Sequence, residues 1–283
     1  MHNFITTHET TIRLAFFIGV FMIVALWEIA SPRRTLTESK IVRWFSNLSI
    51  VALNTVIVRL LFPAAAVGVS AYVSTHQWGL LNYYNLSTPV AIILAVIALD
   101  FIIYLQHVLV HAVPGLWNLH RVHHADLDYD VTTGSRFHPI EIIISMLIKF
   151  ASIVVLGAPV VAVIIFEVIL NACAMFNHGN IYLPQKIDNI LRLFIVTPDM
   201  HRVHHSNLAD ETNSNFGFNL PWWDRLFGTY KAQPDKGHID TTIGITTFTD
   251  SKLCSYLPGM LKLPFMGKST DYTINRRQWK KTE

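Results

Sequence analysis

Ten histidines in the middle of the chain, His107, His111, His120, His123, His124, His138, His178, His201, His204 and His205, stand at spacings suited to binding metal. The chain has 14 histidines in 283 residues, so chance seldom yields one H-x-x-H-H triplet, and here there are two. Imidazole is the commonest protein metal ligand. Residues four apart share one face of a helix, so His107 and His111 can aim at the same ion, with Asp100 on the same stripe. The triplets His120–His123–His124 and His201–His204–His205 space their rings i, i+3, i+4, a fan of about 100° at 3.6 residues per turn. Thr197, Pro198 and Asp199 before the second triplet read as an N-cap, a proline at the first helical position and an acid in the first turn. His138 begins an apolar hairpin and His178 ends it, which makes both candidate ligands. His2, His8, His76 and His238 fall outside the constellation and are expected in solvent.

Ten imidazoles exceed the four positions of a tetrahedral zinc and suit two ions of five or six coordination, with two irons the best match. No E-x-x-H pair occurs, which excludes the soluble carboxylate-bridged di-iron bundle, and the absence of H-E-x-x-H removes the common zinc protease. Neutral rings leave the metal charge uncompensated, so carboxylates should accept the outer ring N–H groups. Asp126, Asp128, Asp130 and Asp199 are near the ligands in sequence. Asp100, Glu167 and Arg59 lie at apparent membrane depth, where a charge faces a partner or a cavity, and at least one of the three is expected to support the metal site.

The elements that must position these rings are apolar. With 52% hydrophobic residues, 14% charged residues and a mean hydropathy of +0.38, the chain is too apolar for an ordinary soluble domain and belongs in a bilayer. The net charge of +3 comes with no basic, aromatic-interleaved tract, so nucleic acid is not a partner. Cys173 and Cys254 are too few for a disulfide framework or a four-cysteine metal site and read as packing residues. No G-x-G or Walker loop offers a nucleotide cradle.

Apolar runs at about 11–30, 45–72 and 88–111 predict three spanning helices. The first, followed by Pro32, Arg33 and Arg34, reads as an uncleaved anchor. The second, with Arg59 and Pro63, reads as long or broken, and the third should stop at Pro114 and Gly115. The run 139–176, interrupted by Gly157, Ala158 and Pro159, predicts a helical hairpin. Lys and Arg gather in cytoplasmic loops, so Arg33, Arg34, Lys40 and Arg43 put the first loop inside and the basic-free loop 73–87 outside. Arg121, Arg136, Lys186, Arg192, Arg202, Arg225, Arg276, Arg277, Lys280 and Lys281 then place every histidine cluster on the cytoplasmic face. An amphipathic stretch, Ile187, Ile190, Leu191, Phe194 and Ile195, is expected on the membrane surface, with Trp222 and Trp223 as interfacial anchors. The fold class that follows is all-α: an integral membrane bundle of about three spanning helices plus a helical hairpin, with a cytosolic histidine-rich metal-binding cap. Nothing divides the chain, so 1–283 is read as one domain with its catalytic core at about 95–230.

The boxes His107/His111, His120/His123/His124 and His201/His204/His205 resemble those of the fatty acid hydroxylase and sterol desaturase superfamily of integral membrane di-iron enzymes. Similarity extends over 116–141, 177–180 and 197–230, including Trp223, Asp224, Arg225, Leu226, Phe227 and Gly228. The resemblance implies O2-dependent hydroxylation or desaturation of a C–H bond in a lipid such as a sterol or fatty acyl chain. It implies a bacterial inner membrane, or the endoplasmic reticulum of a eukaryote. Some relatives carry a further histidine four residues before the one matching His178. Here that residue is Ala174, which leaves His138 or water to complete the site. The chain holds no haem domain, flavin fold or iron–sulfur cysteines, so a separate ferredoxin or cytochrome b5-like protein is expected to supply electrons. Two other readings stay open: a membrane zinc-dependent hydrolase, and a metal-binding membrane protein that is no enzyme.

Overall fold

In a computed structural model of the protein, residues 2–267 and 272–274 are described; Arg276, Arg277, Lys280 and Lys281 lie outside them. The described residues are helical, with isolated bridges such as Pro32–Ile181 and no named strand. Five candidate membrane spans are present. They are built from α1 (Glu9–Ala30), α2 (Lys40–Leu61) continued by α3 (Ala65–Thr75), α4 (Thr88–Ala112), α6 (Pro139–Leu156) and α7 (Val160–Asn177). Between α4 and α6, α5 (Pro114–His124) carries the first triplet. Beyond them come the short α8 (Gln185–Leu191), α9 (Pro198–His204) and α10 (Trp222–Phe227).

The breaks follow from residue chemistry. Pro63 cannot donate to the helix ladder, so the second span stops at Leu61 and restarts at Ala65. Pro114 ends α4 as expected, but the same proline is N1 of α5, where its missing N–H costs nothing, so the chain turns and goes straight back into helix. Gly157 caps α6 at φ +70°, and Pro159 launches α7. A Cβ on Gly157 would meet the Trp78 carbonyl oxygen at 2.5 Å, so the hairpin tip also needs glycine for close approach.

Inside the bundle small side chains let helices approach: Ala66, Ala95, Ala158 and Ala162 pack with Leu99, Ile153, Val163 and Phe166. Outward faces carry exposed Ile18, Met22, Leu26, Leu60, Ile93 and Leu105, the reverse of a soluble protein and the pattern a hydrocarbon solvent selects. A second core, Ile50, Trp117, Val122, Ala125, Ile245, Cys254 and Met260, binds the cap to the foot of α2.

Polar residues at the feet of α1 and α2 grip the loop between the first triplet and α6. Arg43, fully buried, donates to Asp126 and Asp130, and Asp126 also faces Arg136 at 3.5 Å. Burial alone would raise the Asp126 carboxyl; the two guanidinium groups overcome it and hold the group below the ordinary carboxylate range. Glu28 accepts the backbone N–H groups of Val131 and Asn180, and Asn47 donates to Thr132. Arg43, Arg121, Arg136 and Arg202, counted above as cytoplasmic-loop charges, are thus structural cations at the cap, each fully buried.

Candidate metal centre

Nine of the histidines converge in two adjacent groups. His107 and His111 from α4, His120 and His124 from α5 and His204 from α9 form the first. His123, His178, His201 and His205 form the second. In each group the ligand atoms lie within 4.8 Å of one another. The nine rings are at most 3% exposed, and the groups abut: His124 and His205 stack at 4.6 Å between centroids, and His204 and His201 at 5.0 Å.

The hydrogen bonds show which nitrogen faces inward. Nδ1 of His107 donates to the Phe216 carbonyl at 2.7 Å, Nδ1 of His204 to the Ser214 carbonyl at 2.7 Å, and Nδ1 of His178 to the Ala174 carbonyl at 2.7 Å. His111 Nδ1 meets Asn213 Oδ1 at 3.3 Å, and His120 Nδ1 meets Glu141 Oε1 at 2.7 Å. A carbonyl only accepts, so those rings carry the proton on Nδ1 and leave Nε2 with a free lone pair. Nε2 of His107, His111, His120 and His204 has no partner among the described residues. In the second group His178 Nε2 lies 3.2 Å from His123 Nε2 and 3.1 Å from His201 Nε2. Buried nitrogens left unpaired are costly. Lone pairs converging from several elements, with five of the nine rings held from outside through Nδ1, are the arrangement that metal coordination satisfies.

Protonation fits the same reading. Burial first, and then the neighbouring rings, push His123, His124, His201 and His205 well below the usual histidine range. Burial lowers His178 to about 4 and His204 to about 3. All six are therefore neutral at physiological pH, the form that binds metal.

Local sequence explains the placement. Thr197 accepts the Met200 N–H as the N-cap of α9, with Pro198 at N1. Gly134 lets the preceding loop close on the second group, since a Cβ there would stand 2.6 Å from the Ala174 carbonyl oxygen and 3.0 Å from His178 Nδ1. The position where some relatives place a histidine, Ala174, instead orients His178 through its backbone.

Several expected residues go elsewhere. His138 stands outside both groups, because its Nδ1 is occupied in capping α6, accepting the Ile140 N–H at 3.2 Å, while its ring packs on Phe265. Asp126 and Asp130 hold Arg43, Asp128 accepts the Thr37 and Glu38 N–H groups, and Asp199 pairs with Arg33 and Arg202. Asp100 accepts Trp223 Nε1, Glu167 pairs with Lys149 and Arg13, and Arg59 is exposed, so none of the three reaches a ring of the site. The carboxylate that does is Glu141, which the sequence reading passed over. It sits in the first turn of an apolar helix, two residues after a proline, and an acid in that setting was the available signal. His238 is buried, its Nε2 2.8 Å from Gln233 Oε1 and 3.5 Å from Asp199, while His8 and His76 are exposed. Trp223 is drawn onto α4 by Asp100 and Phe101, whereas Trp222 stays exposed and donates to the Leu193 carbonyl, and Ile187, Ile190 and Phe194 are exposed too.

Comparison with known proteins agrees with this geometry. The fatty acid hydroxylase family profile matches residues 92–229, the stretch holding all nine converging rings. The ornithine lipid hydroxylase OlsE of Rhizobium tropici is 27% identical over 269 residues, 92% of this chain and 78% of that protein. Alkylglycerol monooxygenase of Homo sapiens is 27% identical over 164 residues, 56% of this chain and 35% of its own length; that of Xenopus tropicalis is 30% identical over 158 residues, 55% and 34%. The chain thus spans about a third of the alkylglycerol monooxygenases it matches. No solved structure matches significantly. With the three histidine boxes, the profile and these relatives in agreement, the chain belongs to the fatty acid hydroxylase and sterol desaturase superfamily.

Proposed function

We propose that this protein is a membrane non-haem di-iron monooxygenase that uses O2 to hydroxylate a C–H bond in the hydrocarbon part of a lipid. The observation that carries the reading is the pair of adjacent groups of buried imidazoles whose inner nitrogens either lack a protein partner or face only one another. Two irons, one per group, would supply O2 activation when bound. Of the two reactions the superfamily offers, hydroxylation is favoured by the names of the matching relatives, a lipid hydroxylase and monooxygenases.

The chain's own residues have definite parts in such a reaction. Glu141 compensates charge by accepting the hydrogen bond that His120 Nδ1–H donates, and the carbonyls of Phe216, Ser214 and Ala174 fix the rings of His107, His204 and His178. Trp117, Tyr129 and Phe216, each buried against the histidines, exclude water. The site lies in the cytoplasmic face of a bacterial inner or eukaryotic endoplasmic reticulum membrane. The whole of 1–283 acts as one membrane-embedded domain with its catalytic core at about 95–230, and a separate ferredoxin or cytochrome b5-like protein delivers the two electrons each turnover needs.

The test is purification in detergent with elemental analysis, followed by O2 uptake with a chemical or protein reductant and mass spectrometry of extracted lipids. About two irons per chain and a lipid gaining one oxygen atom are expected. Zinc in place of iron, with turnover under anaerobic conditions, would refute it.

A further inference from the structure

The short α10 carries an acid, Asp224, that is fully buried. Its carboxylate accepts three hydrogen bonds, none of them from a histidine. Oδ1 takes the Phe216 N–H at 2.7 Å and the Thr229 hydroxyl at 2.7 Å, and Oδ2 takes the Gly217 N–H at 2.8 Å. Thr229 is brought back by the end of the helix: Gly228, at φ +73°, turns the chain, and the Thr229 N–H bonds the Asp224 carbonyl at 2.9 Å. Gly217 lets the carboxylate come this near, since a Cβ there would stand 2.7 Å from Asp224 Oδ2. Burial lifts the carboxyl to about 6, with the Thr229 hydroxyl and the two N–H groups opposing the rise, so the group is ionised at neutral pH.

The Gly217 N–H and the Phe216 carbonyl belong to one peptide unit, and that carbonyl accepts His107 Nδ1–H at 2.7 Å. Amide resonance joins its two ends. A negative charge drawing on the N–H shifts electron density toward the carbonyl oxygen, which strengthens the bond to His107 and leaves Nε2 a better donor to a metal. The Ser214 carbonyl that holds His204 lacks this backing, because the N–H of its peptide, that of Asn215, goes to the neutral Thr229 carbonyl at 2.8 Å. With Glu141 on His120, the five-ring group thus has two carboxylates behind it. In the four-ring group His178 has the neutral Ala174 carbonyl, and Nδ1 of His123, His201 and His205 has no partner among the described residues.

We propose that Asp224 is a positioning residue of the metal centre, acting on His107 through the Phe216–Gly217 peptide to strengthen the hold of the five-ring group on its ion. The inference rests on the metal-binding reading above and separates the two groups within it: loss of the Asp224 charge weakens one ion and spares the other. A role confined to folding has no such selectivity. A role confined to anchoring α10 would be shared by Asp100, which accepts Nε1 of the neighbouring Trp223 at 2.8 Å without bonding the 216–217 peptide.

The probe is Co2+, titrated into the metal-free full chain in detergent against a competing chelator and followed by absorbance. His111→Ala, which breaks the five-ring group, and His178→Ala, which breaks the other, identify the binding step that belongs to each. Asp224→Asn keeps the shape and removes the charge. The ion of the five-ring group is then expected to bind about tenfold more weakly, and that of the four-ring group as in wild type. Gly217→Ala keeps the acid and pushes it off the peptide, so it is expected to weaken the same ion, and it serves as the second variant should Asp224→Asn not fold. Asp100→Asn is expected to leave both ions unchanged. Equal weakening of both ions by Asp224→Asn, unchanged binding in the Asp224 and Gly217 variants, or the same loss at the five-ring group in Asp100→Asn would overturn the inference. Wild-type protein that takes up no Co2+ would overturn the metal-binding reading, and the inference with it. None of these measurements requires turnover.

Discussion

Neutral imidazole with its outer nitrogen tied to the protein is a ligand held ready, and the strength of that tie differs from ring to ring. Replacing His123 or His204 by alanine should abolish iron binding while the protein still inserts in the membrane, whereas His76→Ala, far from both groups and exposed, should be silent. Iron content of the purified variants decides this. Glu141→Gln keeps the shape but removes the charge facing His120, and a metal-supporting carboxylate of this kind is worth about 10- to 100-fold in affinity, measurable by chelator competition. His238 offers a separate test. Burial lowers it to about 4, with Asp199 working in the opposite direction and Arg202 adding to the fall. The unfolded chain takes up that proton near pH 6.5, so the folded state loses stability as the pH falls from about 6.5 to about 4 and gains nothing further above. His238→Gln should flatten that acid-side decline in thermal-shift scans. At this scale the sequence showed which rings could bind, because spacing on a helix dictates direction. It misplaced His138, whose nitrogen is spent on a helix cap, and it ranked carboxylates by closeness in sequence, although Glu141 reaches His120 across 21 residues.

Elements place these rings through contacts that apolar patterning does not encode. The spans at 9–30, 88–112 and 139–177 follow from runs of hydrocarbon side chains and from Gly157 and Pro159, so they were readable. The restart at Pro114 was not, since a proline signals a helix stop and a helix start alike. The part played by the foot of α2 was hidden as well, because Arg43 looks in sequence like any cytoplasmic-loop cation. In the structure it is fully buried between Asp126 and Asp130 and fixes the loop that follows the first triplet. Removing one member of a buried pair leaves uncompensated charges and costs about 3–5 kcal/mol. Arg43→Met should therefore lower the apparent Tm sharply and reduce metal content, while Arg59→Leu, on an exposed helix face, should leave both near wild type. Differential scanning fluorimetry in detergent, paired with metal analysis, separates the two.

For the whole molecule, the arrangement puts the His76–Trp78 turn and the Gly157 tip at one end of the bundle and all nine converging rings at the other. Membrane-impermeant thiol labelling in sealed cells should react with His76→Cys and spare Lys252→Cys, and the reverse pattern would invert the orientation. That the rings share one end was legible from helix count and charge bias, although several of the cations behind the bias are interior to the cap.

The distance in sequence from His107 to His205 has a consequence for biogenesis. No ribosome-bound intermediate short of the second triplet can hold a completed group, since His204 and His205 are needed one in each. On the di-iron reading, ions would therefore be taken up only after the last span, Val160–Asn177, has been made. Cells that overproduce the protein without adequate iron should accumulate the metal-free form, and the supply of metal at the membrane, rather than synthesis of the chain, would then govern how much enzyme matures.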